Sequence, residues 1–235
     1  MTTRVMPWDR FRFLNIDRSW SVAWFLVGRP IRVLSNLRVW GRERVPLTGP
    51  VVLAANHRSF YDIFVLGAVM KRPVHYMAKA ELWNSAIVGN VITHTGAFPV
   101  RRGEVDRGAL ETAQEVLARG GVLGIFIDGT RHHASAVGEV RAGAAMIAAQ
   151  AGAPVVPVYL HGTGAVIDNP RTPVSITFGR PIRISGRGSK AYRAGAEEIA
   201  NELRRLQAFA ESADRAGRPK DAVPPEPASL DEATA

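Results

Sequence analysis

Cysteine is absent from all 235 residues, which excludes a disulfide framework, a thiolate zinc site and a cysteine nucleophile. Long apolar runs are missing too. The longest clean stretch near the amino end covers residues 22–27, whereas a bilayer-spanning helix needs about 20 such residues. The opening MTTRVMPWDRFRFLNIDRSW is broken repeatedly by Arg and Asp and lacks the apolar core of a secretory signal. Acidic residues are in deficit, 21 against 30 Lys and Arg, and the resulting net charge of +9 calls for polyanionic company: nucleic acid, anionic lipid or a phosphorylated substrate. No internal repeat is evident.

What is present is a chain with 46% hydrophobic residues, enough to bury the core of one domain of ordinary size. Short apolar runs at 51–55, 74–78, 97–100, 122–127, 155–160 and 174–178 read as strands. Between them, 63–70, 104–119 and 142–151 read as helices, and 190–210 as a closing amphipathic helix. This alternation implies crossover connections, hence an α/β fold with a mostly parallel central sheet flanked by helices. Three regions follow. Residues 1–40 interleave Trp8, Phe11, Phe13, Trp20, Trp24, Phe25 and Trp40 with seven arginines, a pattern that suits an amphipathic helical segment at a membrane interface and equally a helix packed on its own domain. Residues 41–212 form the main domain. Residues 213–235, rich in Pro, Ala and charge, read as a disordered tail.

Chemistry concentrates at the turn after the first of these strands, Asn56-His57-Arg58-Ser59-Phe60-Tyr61-Asp62. Histidine titrates nearest neutrality, so it can take a proton from a hydroxyl and return it to a leaving group. Asp62 can orient it, provided that His57 precedes the helix; within one continuous helix a spacing of five would set the two about 140° apart. Ser59 and Asp62 also have the spacing of a capping box, so spacing alone leaves a purely structural reading open. Two further strand ends carry arginine: Gly96 to Arg102, with Arg101 and Arg102 adjacent, and Asp128-Gly129-Thr130-Arg131. Guanidinium groups suit bidentate phosphate binding, and in an open parallel sheet ligands gather at the carboxyl ends of the strands. No cluster of His and carboxylates has metal-ligand spacing, and no metal is expected.

The block from Asn56 to Asp62 resembles the NHxSxxD block of the glycerolipid acyltransferases, the family of 1-acyl-sn-glycerol-3-phosphate acyltransferases. Gly96 to Arg102 is similar to the family's second block, Asp128 to Arg131 to its third, and Gly152 to Val158 to its fourth, in order, over roughly residues 35–185. The resemblance implies that His57 is the general base and Asp62 its orienting partner. It implies that Asn56, Ser59, Gly96, Arg101, Arg102, Asp128, Gly129, Thr130, Arg131 and Pro157 bind substrate, Arg131 and either Arg101 or Arg102 holding the acceptor's phosphate and Pro157 shaping the pocket. Two departures bear on the acceptor: Asp128 stands where the family usually has Glu, and Arg101 where an acid is often found.

The expected activity is transfer of a fatty acyl group from acyl-CoA or acyl carrier protein to the hydroxyl of 1-acyl-sn-glycerol-3-phosphate or a similar lysophospholipid. No cofactor is expected beyond the donor itself. The expected setting is an anionic membrane surface on the cytoplasmic face, with peripheral attachment and no nucleic-acid partner. Two readings compete: a different acceptor such as a glycolipid precursor, and a basic nucleic-acid-binding protein. The second requires basic residues and exposed aromatics on one face, whereas here the central arginines lie within apolar blocks.

Overall fold

A computed structural model describes residues 20, 22, 28–101, 106–127, 141–166, 168, 169 and 172–226. In chain order the elements are α1 (Arg29–Leu34), β1 (Arg38–Trp40), β2 (Val51–Ala55), α2 (Tyr61–Val69), β3 (Val74–Lys79), α3 (Ala86–His94), β4 (Ala97–Val100), α4 (Arg107–Ala118), β5 (Val122–Phe126), α5 (Gly143–Ala151), β6 (Val155–His161), β7 (Ser175–Phe178) and α6 (Ser189–Arg215). The strands form one seven-stranded sheet in the order β1-β7-β6-β2-β5-β3-β4. Every neighbouring pair is parallel except β6 with β7.

Both faces of the sheet are covered, which is why β2 reads as an unbroken apolar run rather than an alternating one. Val51, Leu53 and Ala55 point to one side, into a core shared with Ile31 of α1, Val65 and Leu66 of α2 and Ile92 of α3. Val52 and Ala54 point to the other, against Ala113 and Leu117 of α4, Ile147 of α5 and Leu203 and Leu206 of α6. All five β2 residues are at most 1% exposed.

The connections leaving β2 and β5 make the site possible. These strands are neighbours, with Ala55 registered on Phe126. From β2 the chain passes through α2 on the first face to β3; from β5 it reaches β6 by way of α5 on the second face. Adjacent strands whose connections part to opposite faces leave a crevice at their carboxyl ends, where ligands of open α/β sheets bind.

The boundaries expected from composition move at both ends. Residues 38–40 are an edge strand of the sheet, not part of an interfacial segment, and Trp40 is 2% exposed with its ring edge-on to Phe209 at 5.4 Å. Most of the amino-terminal segment lies outside the described residues. At the other end, α6 runs to Arg215 and residues 216–226 cross the β1 edge. There Trp40 Nε1 donates to the Pro219 carbonyl at 2.9 Å and Arg44 to that of Pro224 at 2.8 Å, while the buried Arg218 donates to the Asn36 carbonyl at 2.7 Å. A composition poor in apolar side chains cannot report this strap, because its main-chain carbonyls carry the contact and cover an otherwise open strand edge. Among the described residues no helix is long and apolar enough to cross a membrane.

Candidate functional site

The carboxyl end of β2 is locked to its neighbour by a side chain. Asn56, 1% exposed, donates from Nδ2 to the Leu160 carbonyl at 3.0 Å and accepts from the Leu160 amide at 2.7 Å, so it continues the β2–β6 ladder one residue beyond the strand. His57 follows, and the chain then turns into α2. Asp62, on the first turn of that helix and fully buried, gathers the turn onto one oxygen. Its Oδ2 accepts from the amides of Arg58 at 2.6 Å and Ser59 at 2.9 Å and lies 2.8 Å from Nδ1 of His57. An oxygen that already serves two fixed amide donors is an acceptor for the third group as well. We therefore assign the proton of the neutral imidazole to Nδ1, which leaves the lone pair on Nε2.

Both contacts that this spacing allows are present in the turn. Asp62 reaches back to the Ser59 amide as a capping box requires, and the Ser59 hydroxyl accepts from the Tyr61 amide at 2.9 Å. The same carboxylate aligns the histidine. Backbone amides at a helix start are common oxyanion donors. Those of Arg58, Ser59, Tyr61 and Asp62 are all spent inside the turn, so they are not free for that role.

One face of the imidazole is covered by a residue that lies outside the sequence blocks. Phe126 closes β5 in register with Ala55, and its ring stacks on His57 with centroids 4.2 Å apart and planes 24° from parallel. Behind it lies Tyr76, its ring 9° from parallel to that of Phe126 at 6.2 Å. Tyr76 fits because the neighbouring strand has a glycine: a Cβ on Gly124 would lie 2.8 Å from the tyrosine ring. Burial pushes the Tyr76 hydroxyl well above its ordinary pKa, so it stays protonated and acts as packing. A signal for Phe126 existed in its position at the end of a strand, two residues before the block Asp128 to Arg131. Replacing Phe126 by Leu removes the stacked face while keeping apolar bulk. An aromatic pair is worth about 0.5–1.5 kcal/mol, so kcat should fall between about twofold and tenfold with KM little changed, as steady-state kinetics would measure.

The remaining expected substrate-binding residues separate. Asn56 and Ser59 stand beside His57, but their polar atoms serve the turn and the ladder, as described. Arg101 does reach the carboxyl end of the sheet, just after β4, three strands from β2 and so about 14 Å away by strand spacing. Its side chain is 58% exposed and its Nε lies 3.4 Å from Asp106, the N-cap of α4. Asp106 Oδ2 also accepts from the Arg101 amide, and Oδ1 from that of Ala109; although burial opposes ionisation, these bonds hold its carboxyl below the ordinary range. Gly96 is not at a ligand-facing edge: it turns the chain at φ +90° into the amino end of β4. Pro157 is buried in mid-strand on β6, registered on Ala54, and strand alternation directs it to the face opposite that of His57. It therefore supports the second core rather than a pocket at the histidine. Arg102, Asp128, Gly129, Thr130 and Arg131 lie outside the described residues. Among the described residues no group of His and carboxylates could hold a metal ion.

The family model described as Acyltransferase matches residues 36–161. A 1-acyl-sn-glycerol-3-phosphate acyltransferase of Bacillus subtilis is 32% identical over 137 residues, 56% of this chain and 68% of that protein. One of Chlamydomonas reinhardtii is 31% identical over 175 residues, 71% of this chain but 50% of that protein. Among solved structures, the 1-acyl-sn-glycerophosphate acyltransferase PlsC of Thermotoga maritima superposes with a TM-score of 0.62 at 27% identity, covering 85% of this chain and 86% of the other.

Proposed function

Since the chain belongs to the acyltransferase family, we propose that it moves an acyl group from a thioester donor to the free hydroxyl of a 1-acyl-sn-glycerol-3-phosphate, with His57 as general base and Asp62 as the residue that orients it. The observation that carries the catalytic part is the 2.8 Å contact of His57 Nδ1 with a carboxylate oxygen that already binds two amides. The named activity of the Bacillus and Chlamydomonas relatives supports the acceptor.

In this mechanism Nε2 of His57 removes the proton from the acceptor hydroxyl as its oxygen attacks the thioester carbonyl carbon. The tetrahedral adduct collapses with cleavage of the carbon–sulfur bond. The proton held on Nε2 passes to the departing sulfur, so the enzyme ends as it began. While the imidazolium exists, Asp62 stabilises its charge and Phe126 holds the plane of the ring. No covalent enzyme intermediate is required. For the acceptor's phosphate, Arg101 is the candidate among the described residues, and the family resemblance adds Arg102 and Arg131. A donor on coenzyme A and one on acyl carrier protein are both polyanions and both complement a net charge of +9. Attachment to the cytoplasmic face of an anionic membrane fits the same charge and the amphiphilic acceptor.

The test is thiol release from a palmitoyl thioester in the presence of single lysolipids, with lipid products separated afterwards. Release that depends on lysophosphatidate and yields diacylated phosphatidate is the expected result. Release without any acceptor, with free fatty acid as product, would make the protein a hydrolase and sink the reading.

A further inference from the structure

The turn that carries His57 is pinned by a side chain at each end. Asn56 fixes its start to β6, and Tyr61, the first residue of α2, fixes its end to α1. Ser35 closes α1 and is 3% exposed. Its Oγ lies 2.6 Å from the Ile31 carbonyl and 2.6 Å from the phenol oxygen of Tyr61. A carbonyl can only accept, so the single hydroxyl proton of Ser35 goes to Ile31, and the phenol of Tyr61 donates to Ser35. The amide of Tyr61 meanwhile donates to the Ser59 hydroxyl, so this one residue is held both at its main chain and at its tip.

An anchor helps only if it does not move, and the end of α1 is fixed from several sides. The Ser35 amide donates to the Ile31 carbonyl at 3.0 Å, and the Ile31 side chain is buried in the first core. The carbonyl of Asn36, one residue on, accepts from the buried Arg218. The turn itself faces outward between its pins, where Phe60 is 40% exposed.

We propose that Tyr61 is a positioning residue for the reaction: its hydrogen bond to Ser35 holds the first turn of α2 at the place where Asp62 meets Nδ1 of His57. This rests on the proposed roles of that pair. Tyr61 is neither an acid nor an oxyanion donor in the reaction, because its one phenolic proton is committed to Ser35. Its effect passes through the main chain that it shares with Asp62. Misplacing a reacting group by about 1 Å can cost roughly 100-fold in rate, and removal of one pin of two loosens the turn by less than that.

The test begins with Tyr61→Phe in the full chain, which keeps the ring and removes only the phenol oxygen. Its kcat for acyl transfer to lysophosphatidate should fall about three- to tenfold, with KM for donor and acceptor within about twofold of wild type, since neither ligand loses a contact. Ser35→Ala deletes the same bond from the other side, so the double variant should be no slower than the slower of the two single variants. A second reading does not use activity and needs only Tyr61→Phe, should Ser35→Ala fail to fold. The proton on Nδ1 of the buried His57 is shared with a carboxylate and should give a separate downfield signal in proton NMR, identified by its loss in His57→Ala. In Tyr61→Phe that signal should broaden or move upfield as the contact with Asp62 loosens. An unchanged kcat in Tyr61→Phe, a loss confined to KM, a double variant in which the two losses multiply, or an imidazole signal identical to that of wild type would each overturn the proposal. Wild type that transfers no acyl group is a different result: it removes the proposed function, and the imidazole signal still decides whether Tyr61 positions the pair.

Discussion

Replacing His57 by Ala should give a folded protein whose kcat is lower by about 10²- to 10⁴-fold, the usual contribution of a positioned general base. The fold should survive because the carboxylate beneath the imidazole does not depend on it: Asp62 Oδ2 keeps the Arg58 and Ser59 amides when the third donor is removed. One lost hydrogen bond to a charged group costs about 1.5–3 kcal/mol, a fraction of the stability of an ordinary domain. KM for the lysolipid should change little, since the imidazole acts on the hydroxyl proton and not on the headgroup or the acyl chain. Thiol release at saturating donor and acceptor measures the effect, with a thermal melt as the control on folding. A melt like that of wild type together with a kcat within about threefold of it would show that proton removal is not done by this residue.

The position of that histidine was legible because two independent patterns met on it. The apolar runs specified buried strands, and their carboxyl ends are where an α/β sheet collects ligands. The five-residue spacing to Asp62 then fits one geometry, a loop histidine followed by an early helical carboxylate, and that geometry is realised. β2 and β4 were bounded to the residue, since Gly49-Pro50 and Gly96 punctuate their starts. Three kinds of feature were not legible. α3 was missed because its apolar residues face outward, so it lacks the usual contrast between a buried and a solvated side. β1, three residues long, is defined by its parallel neighbour β7 and not by any local pattern. Pro157 and Asn56 were taken for ligand-binding residues on the strength of the blocks that contain them. Which face a strand residue points to, and whether an amide side chain is consumed by a neighbouring strand, depend on register that a single sequence does not carry.

Asp62 separates orientation from charge more cleanly than His57 does, because only one of its oxygens is used. Oδ2 receives all three donors; Oδ1 is buried with no hydrogen-bond partner among the described residues. In Asp62→Asn the amide oxygen must occupy the Oδ2 position, since an NH2 group there would confront two backbone N–H donors. The imidazole then still gives its Nδ1 proton to an oxygen and keeps the productive tautomer. What is lost is the negative charge that stabilises the imidazolium, and kcat should fall by about 10²-fold. Asp62→Ala loses the oxygen as well. Two buried amides are left without an acceptor at about 1–3 kcal/mol each, the turn from β2 into α2 loosens, and His57 is free to rotate. Its kcat should fall at least another tenfold below that of the Asn variant, and its melting temperature should drop by several degrees while that of Asp62→Asn moves much less. Paired kinetics and melts on the two variants give the comparison. Equal losses of activity in both, with Asp62→Asn as well folded as wild type, would mean that the pinned oxygen does not hold the tautomer and that the charge of the carboxylate carries its whole effect on the reaction.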